Sequence, residues 1–370
     1  MTHGGNIYEI EKRTGIAKDS ILDYSSNINP LGVPDGLKKI ICDGIDDLTK
    51  YPDINYHELK DSIAQYYRLS VEDILVGNGA AQIIFDFINA VAPRNTLIVQ
   101  PTFSEYERAL NIGGKNIIHY FLREEDSFQL NVDNLLKYLA ADKSIDMVII
   151  CNPNNPTGRL ISKGEMMCII DFCEENNIFL IIDEAFMDFA DEMGIHTLMN
   201  ECKKYKNLMV VRAFTKFYGI PGLRLGFGVT SNLDIKNRIE LLSLPWNINT
   251  FASYFGRILL SEDKYVANSF KWLKNERVNF FNKLNEIKVL KVFSSETNFV
   301  LLKLLENNYT AKTLQANLLK RGILIRDCSS FKGLNEKYIR LAVKDGASNE
   351  RLIKELKSII KEKNTWINKC

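Results

Sequence analysis

The chain has 370 residues, 46% of them hydrophobic, which is past the roughly 250–300 at which one core stops growing, so two domains with ample interior are expected. Its 47 basic and 46 acidic side chains nearly cancel, with no block of like charge, which argues against nucleic acid or an anionic membrane as the main partner. No apolar run approaches the ~20 residues needed to span a membrane, MTHGGNIYEIEKR has no apolar signal core, and seven cysteines without a metal-type CxxC pair read as reduced thiols in a cytoplasmic, metal-free protein.

The first 34 residues precede any strong strand pattern and are expected to form an N-terminal arm over the site. From about residue 70 to 230, short apolar runs alternate with helix-like stretches: DILVGNG, NTLIVQPTF, DMVIICNP, IFLIIDEAF, NLMVVRAF and RLGFGV. Continuous Ile, Leu and Val in runs this short mark strands buried on both faces of a mostly parallel sheet. The intervening AQIIFDFINAVA and KGEMMCIIDFCEENN have helical spacing, giving an open α/β sheet with helices on both faces. Residues 35–240 are therefore expected to form a large domain. Beyond it, NRIELLSLPW and YFGRILLSEDKYVANSFKWLKNERVNFFNKLNEI read as long helices, and VLKVF, NFVLLKL, ILIRDC and YIRLAV as short strands. This predicts a smaller α+β domain over residues 241–370.

In open α/β sheets ligands bind beyond the carboxyl ends of the strands, so the residues after each run hold the chemistry. VGNGAAQ places two glycines at a strand-to-helix turn, where backbone N–H groups at a helix N-terminus can face an anion. It lacks the third glycine of GxGxxG and the Lys-Ser/Thr of a P-loop, and a plain glycine turn would look the same. QPTFSEY offers Phe103 or Tyr106 to stack on a planar ligand, although buried aromatics are more often core. CNPNNPTG is a rigid polar loop with two X-Pro pairs. Asp183 closes an apolar strand, where a carboxylate is costly unless paired; helix N-capping is the plainer alternative. Lys216 stands near the end of a buried strand, where desolvation would yield a usable amine nucleophile. Arg224 follows eight residues later, after Gly219, Pro221 and Gly222. An anion cradle, an aromatic, an Asn, an Asp, a Lys and an Arg on successive strand ends suit one cofactor with a phosphate, a planar ring, a ring nitrogen and an aldehyde.

The order GNG…PTF…NPNNPTG…DEAF…TK…GLRLGF resembles the pyridoxal-phosphate enzymes of fold type I, the aspartate-aminotransferase superfamily, and within it the histidinol-phosphate aminotransferase branch. HGGNIYE, DYSSNINPLG, KYPDINYHEL, LPWNIN and ILIRDC…YIRLAV make it more similar still to the L-threonine-O-3-phosphate decarboxylases of cobalamin biosynthesis. The resemblance implies that Lys216 bonds to the cofactor aldehyde and carries protons. It implies that Asp183 pairs with the pyridine nitrogen, Asn155 donates to the ring oxygen and Phe103 stacks on the ring. The backbone at Gly79, Ala80 and Ala81, together with Thr215 and Arg224, would hold the cofactor phosphate. Tyr51 would reach that phosphate from the other subunit of a homodimer. Arg340 would bind the substrate α-carboxylate, and Arg326, His3 and Asn27 the substrate's own phosphate. Surface arginines of an edge strand would show the same pattern as Arg326 and Arg340.

Three positions depart from the broad aminotransferase pattern. Phe186 stands where transaminases usually carry a tyrosine, as the decarboxylase branch does. Ala213 replaces a hydroxyl residue, which predicts one fewer contact to the cofactor phosphate. Gln82 replaces the usual acidic residue, with no reason visible in the sequence. The reaction implied is decarboxylation of a phosphorylated amino acid. The alternatives are an aminotransferase for histidinol phosphate or a similar amine, a decarboxylase for serine phosphate or a phosphonate amino acid, and a nucleotide-binding or regulatory α/β protein that has kept the fold and forms no Schiff base.

Overall fold

The computed structural model describes residues 4–190, 194–306 and 308–367. Thirteen strands are found among them. In chain order they are β1 (Leu22–Asp23), β2 (Ile74–Gly77), β3 (Asn95–Gln100), β4 (Asn116–Phe121), β5 (Met147–Cys151), β6 (Phe179–Asp183), β7 (Leu208–Ala213), β8 (Gly226–Val229), β9 (Leu290–Val292), β10 (Phe299–Leu304), β11 (Ile323–Leu324), β12 (Arg326–Asp327) and β13 (Tyr338–Ala342). Seven of them form the central sheet, in the order β2-β8-β7-β6-β5-β3-β4. β8 is antiparallel to both neighbours and the remaining pairs are parallel, so the carboxyl ends of the other six strands share one edge.

The continuous apolar runs have the expected cause. Leu97, Val148, Ile150, Leu180, Ile182, Leu208 and Val210 face one buried cluster with the helix Lys163–Glu175. Their chain neighbours Ile98, Ile149, Ile181, Met209 and Val211 face another, with Ile83, Ile84, Phe87 and Ile88 of the helix Ala80–Val91. Successive residues point to opposite faces of a strand, and here both faces are covered. The fold is thus the α/β fold expected. β4 was not anticipated: as an edge strand it is only half-buried and reads NIIHYF, with polar and aromatic residues where the inner strands carry aliphatics.

The later strands form a four-stranded antiparallel sheet, β12-β13-β10-β9. Val300, Leu302, Ile339 and Leu341 pack there on Phe280, Leu284, Leu314, Leu318, Leu352 and Leu356. Three sequence expectations are corrected. ILIRDC is two strands: β11 pairs in parallel with β1, and β12 joins the antiparallel sheet. The helix read in NRIELLSLPW runs Leu233–Leu242 and ends at an extended Ser243; Leu244 precedes Pro245, and the residue before proline is disfavoured in the α region. The long helix expected from Tyr254 is a short turn, Gly256–Leu259, followed by Asp263–Asn285. Between them Ser261 Oγ donates to the Ile258 carbonyl, a local bond that competes with helix continuation.

Within residues 1–34, β1 and the fully buried Tyr24 join the C-terminal core. The Tyr24 N–H donates to Leu324 O, and the Ala342 N–H donates to Tyr24 O. This stitches the N-terminal segment between β11 and β13 and sets the next residues, Ser25 to Asn27, at the mouth of the central sheet.

Candidate active site

At the carboxyl edge of the sheet lies a cavity of about 270 Å³, near the lower bound of ~300 Å³ for small-molecule sites. It is lined by residues from both sheets and from the N-terminal segment. Twelve of the fourteen residues to which the resemblance gives a catalytic or binding role border it: Asn27, Gly79, Ala80, Ala81, Phe103, Asn155, Asp183, Thr215, Lys216, Arg224, Arg326 and Arg340. Tyr51 does not. It is 78% exposed and stacks on Trp246 at 4.4 Å. His3 lies outside the described residues.

Lys216 sits in a one-turn helix, Phe214–Phe217, directly after β7 rather than on the strand itself. Burial, with help from Arg340 and Arg224, lowers its ammonium pKa to about 8, against the opposing pull of Asp183. A minor but usable fraction of the amine is therefore neutral near physiological pH, far more than for an ordinary lysine, and available to a carbonyl. Asp183 ends β6. Burial pushes its pKa up, while Tyr106, the Ala185 N–H and Lys216 work to keep it ionised. The Tyr106 phenol donates to Asp183 Oδ2 at 2.5 Å and the Ala185 N–H donates to Oδ1 at 2.9 Å. A carboxylate this buried, so held, suits a cationic ring nitrogen.

The anion cradle is built on Gly79, with φ 83 and ψ 160, a region essentially restricted to glycine. A Cβ there would stand 2.4 Å from Arg224 Nη2. Gly79 is the N-cap of the helix Ala80–Val91 and brings no capping side chain, so that helix terminus is left to an anion. Arg224 reaches the cradle from a left-handed backbone position, φ 60, which costs a non-glycine residue ~1–2 kcal/mol. Gln82 accepts the Asn78 N–H through Oε1 at 2.7 Å, as a carboxylate also would, and in addition hydrogen-bonds the Asp86 side chain, which an acidic residue would repel. Ala213 lines the cavity without a hydroxyl.

Arg326 and Arg340 are direct partners across the β12–β13 ladder. Both are buried, which removes the surface-arginine alternative. Arg340 donates through Nη1 to Asn155 Oδ1 and through Nη2 to the Ser25 carbonyl at 2.7 Å. Its Nε, like Asn27 Oδ1, is buried without a hydrogen-bond partner. Such orphans are costly; the Arg340 Nε donor suits an anionic ligand, whereas the Asn27 Oδ1 is an acceptor, so only the Asn27 Nδ2 could donate to a phosphate. Arg326 donates to Ser330 Oγ at 3.0 Å and lies 5.2 Å over the Phe331 ring. Phe186 packs edge-on to Phe299 at 5.0 Å and brings no hydroxyl to the cavity.

The desolvated amine, the opposed carboxylate and the glycine cradle with its arginine together fit pyridoxal phosphate. Sequence reasoning weighed Tyr106 only as a stacking ring and missed its bond to Asp183, which joins residues 77 apart. It also missed Ser25, Ser26, Ser330 and Phe331. The Asp-x-Ser-Ser spacing of DYSSN, typical of side-chain-capped turns, was the one signal that could have found the first two.

Chemically, the arrangement can handle a carbonyl with an amine and small anions with arginines. The chain belongs to the aminotransferase class I and II family, whose model matches residues 19–356. A threonine-phosphate decarboxylase of Salmonella typhimurium (strain LT2) is 38% identical over 359 residues, covering 97% of this chain and 96% of that protein. The crystal structure of a histidinol-phosphate aminotransferase from Clostridium acetobutylicum superposes with a TM-score of 0.84 at 37% identity, covering 92% of this chain and 99% of that one. That of L-threonine-O-3-phosphate decarboxylase from Porphyromonas gingivalis superposes with a TM-score of 0.80 at 29% identity, covering 91% and 99%. A histidinol-phosphate aminotransferase of Methanosphaera stadtmanae is less similar than the Salmonella typhimurium decarboxylase, at 30% identity over 355 residues, covering 95% of this chain and 94% of that protein.

Proposed function

We propose that this chain is a pyridoxal-phosphate-dependent lyase that decarboxylates a phosphorylated amino acid, foremost L-threonine O-3-phosphate, to (R)-1-amino-2-propanol phosphate and CO2. The product is a precursor of the cobalamin side chain. The observation that carries this reading is the directly opposed pair of buried arginines on β12 and β13. Two cations side by side in one small cavity suit a substrate with two anionic ends, a carboxylate and a phosphate, each of which matches a guanidinium fork.

Bound in this site, pyridoxal phosphate supplies a conjugated sink for the electron pair left at Cα when a bond to that carbon breaks. The chain's own residues do the rest. Lys216 Nζ would hold the cofactor at its aldehyde carbon and would move a proton at the substrate Cα. Asp183, fixed by Tyr106, pairs with the protonated ring nitrogen. Gly79, Ala80, Ala81, Thr215 and Arg224 hold the cofactor phosphate, while Asn155 and Phe103 hold the ring. Arg340 grips the α-carboxylate and so selects which bond at Cα is aligned to break. Arg326 and Asn27 take the substrate phosphate, and His3 is proposed to join them.

A homodimer is part of this reading. Tyr51 does not border its own chain's cavity and stacks on Trp246; Leu48, three residues before Tyr51, and Leu244, two before Trp246, are exposed as well. A second copy would cover such a surface, and Tyr51 would then complete the partner's phosphate site. Among the described residues no helix is long and apolar enough to cross a membrane. The six described cysteines are free, in keeping with a reducing cytoplasm.

A second reading, an aminotransferase for histidinol phosphate, draws support from the likeness to the Clostridium acetobutylicum structure. A decarboxylase for serine phosphate or a phosphonate amino acid is the third. The test is a panel of threonine phosphate, serine phosphate and histidinol phosphate, with and without 2-oxoglutarate, following CO2 and glutamate together. CO2 from threonine phosphate without any keto acid is expected. Turnover that occurs only with 2-oxoglutarate would overturn the proposal.

A further inference from the structure

Arg340 is held by two acceptors among the described residues, and one of them is a single backbone carbonyl, that of Ser25. What fixes that carbonyl is Asp23. Its Oδ1 accepts both the Ser25 N–H at 2.7 Å and the Ser25 hydroxyl at 2.6 Å, and its Oδ2 accepts the Ser26 hydroxyl at 2.6 Å. One carboxylate thereby locks two successive residues, and with them the direction of the Ser25 C=O. With its proton given to Asp23, Ser25 Oγ in turn accepts the Gly5 N–H at 2.8 Å. Gly4 lies so close that a Cβ on it would fall 2.1 Å from the Ser25 oxygen, a contact only glycine permits. The N-terminal segment is therefore pressed against the same carbonyl that orients Arg340. Asp23 is also close enough to act on the Arg340 charge, opposing the burial that lowers its pKa to about 10.

We infer that Asp23, through the Ser25 carbonyl, is a positioning residue for Arg340 and sets the selectivity of the site for a ligand that carries an α-carboxylate. Gly4 belongs to the same device: the N-terminal segment can seat over the cavity only while the Ser25 carbonyl keeps the direction Arg340 requires. Among the described residues Asp23 makes no hydrogen bond to the cofactor cradle at Gly79 or to Lys216, and it reaches the cofactor site only through Arg340, which also bonds Asn155 and bears on the Lys216 charge, so carboxylate binding should suffer more than cofactor binding. Lys344, whose pKa burial lowers, has its charge favoured by Asp23 as well, so an uncharged replacement also removes a partner from that amine. This is why the readout must be carboxylate selectivity and not affinity alone. The inference rests on reading Arg340 as the carboxylate-binding residue.

The experiment compares two ligands of holoenzyme, L-phosphothreonine and (R)-1-amino-2-propanol phosphate, which differ by the carboxylate. Dissociation constants are read from the absorbance change of the bound cofactor on rapid mixing, before turnover, in wild type, Asp23→Asn, Asp23→Ala and Gly4→Ala. Cofactor affinity and Tm are measured alongside. Asp23→Ala should weaken the carboxylate ligand about tenfold, as expected for one misdirected charge-assisted hydrogen bond. The amine phosphate should stay within about twofold, and cofactor affinity should fall by less than the affinity for the carboxylate ligand. Asp23→Asn, whose Oδ1 still accepts from Ser25, should show a smaller selectivity loss; Gly4→Ala should show the larger one. If Asp23→Ala does not fold, the other two variants carry the test. An unchanged ratio of the two constants, or equal weakening of both ligands, overturns the inference. Should wild type bind phosphothreonine and release no CO2, the decarboxylase reading falls and the ratio is still read. Should it not bind phosphothreonine at all, the same ratio is taken from L-phosphoserine and phosphoethanolamine.

Discussion

Replacing Tyr106 by Phe removes one oxygen and leaves the ring in place. That oxygen donates to Asp183 Oδ2 at 2.5 Å, and both residues are buried. A hydrogen bond to a charged group contributes about 1.5–3 kcal/mol, so the variant should bind pyridoxal phosphate about 10- to 150-fold more weakly, at 1.36 kcal/mol per tenfold. The pH dependence should move with it. The tyrosine stabilises the ionised carboxylate against the burial that raises its pKa, so without it the pKa rises further. The low-pH limb of kcat should then shift to higher pH, because a protonated Asp183 cannot pair with a cationic ring nitrogen. Titration of apoenzyme with cofactor, followed by fluorescence, gives the first quantity and a pH–rate profile the second. Unchanged affinity together with an unmoved acid limb would refute the role given to the Tyr106–Asp183 pair.

Other consequences follow from single side chains. Gly79→Ala places a methyl 2.4 Å from Arg224 Nη2 at a φ of 83, a conformation that costs a non-glycine residue ~1–3 kcal/mol; cofactor titration should show at least a tenfold loss and calorimetry a lower Tm. In apoprotein the protonated Lys216 is penalised by burial, its pKa falling from 10.5 to about 8. The penalty is complete below about pH 8 and is relieved as pH rises toward 10.5, by at most roughly 3 kcal/mol, so chemical denaturation should show wild-type apoprotein gaining stability over that range relative to Lys216→Met. Glu124 resists the upward push of burial through Lys303 at 2.6 Å, Tyr338 at 2.5 Å and Lys291 at 3.0 Å, and its pKa is held at about 2. The stability it gives is present above the ordinary carboxylate value of 4.5 and lost as pH falls toward 2. The stability difference between wild type and Glu124→Gln should therefore be largest near pH 6 and vanish in strong acid.

The central strands were legible because each is buried on both faces, which writes itself into the sequence as an unbroken aliphatic run. β4 has only one neighbour in the sheet and remains half-exposed, so its polarity disguised it. Lys216, Asp183 and the Gly79 turn were each visible as an oddity, a charge or a glycine where the local pattern wanted neither. Their convergence was argued from the rule that one sheet edge carries the chemistry. The contacts that tune them were not visible. The Tyr106 bond to Asp183 and the Arg326–Arg340 pairing depend on tertiary register, which no local pattern encodes. The break between Leu259 and Asp263 was missed because Ser261 is neutral by propensity and interrupts the helix only through its bond to the Ile258 carbonyl. Asp23 was readable in principle, since a carboxylate two residues before a serine is a turn signal, but it gains meaning only once Arg340 is seen on the Ser25 carbonyl.

Decarboxylation and transamination part company at one atom, the α-carbon, and proton NMR in D2O reads that atom directly. Holoenzyme incubated with L-phosphothreonine in D2O should yield 1-amino-2-propanol phosphate that keeps its original α-hydrogen and carries one solvent deuterium where the carboxylate had been. Exchange of the α-hydrogen for deuterium in phosphothreonine that retains its carboxylate, without the amine product, would contradict it.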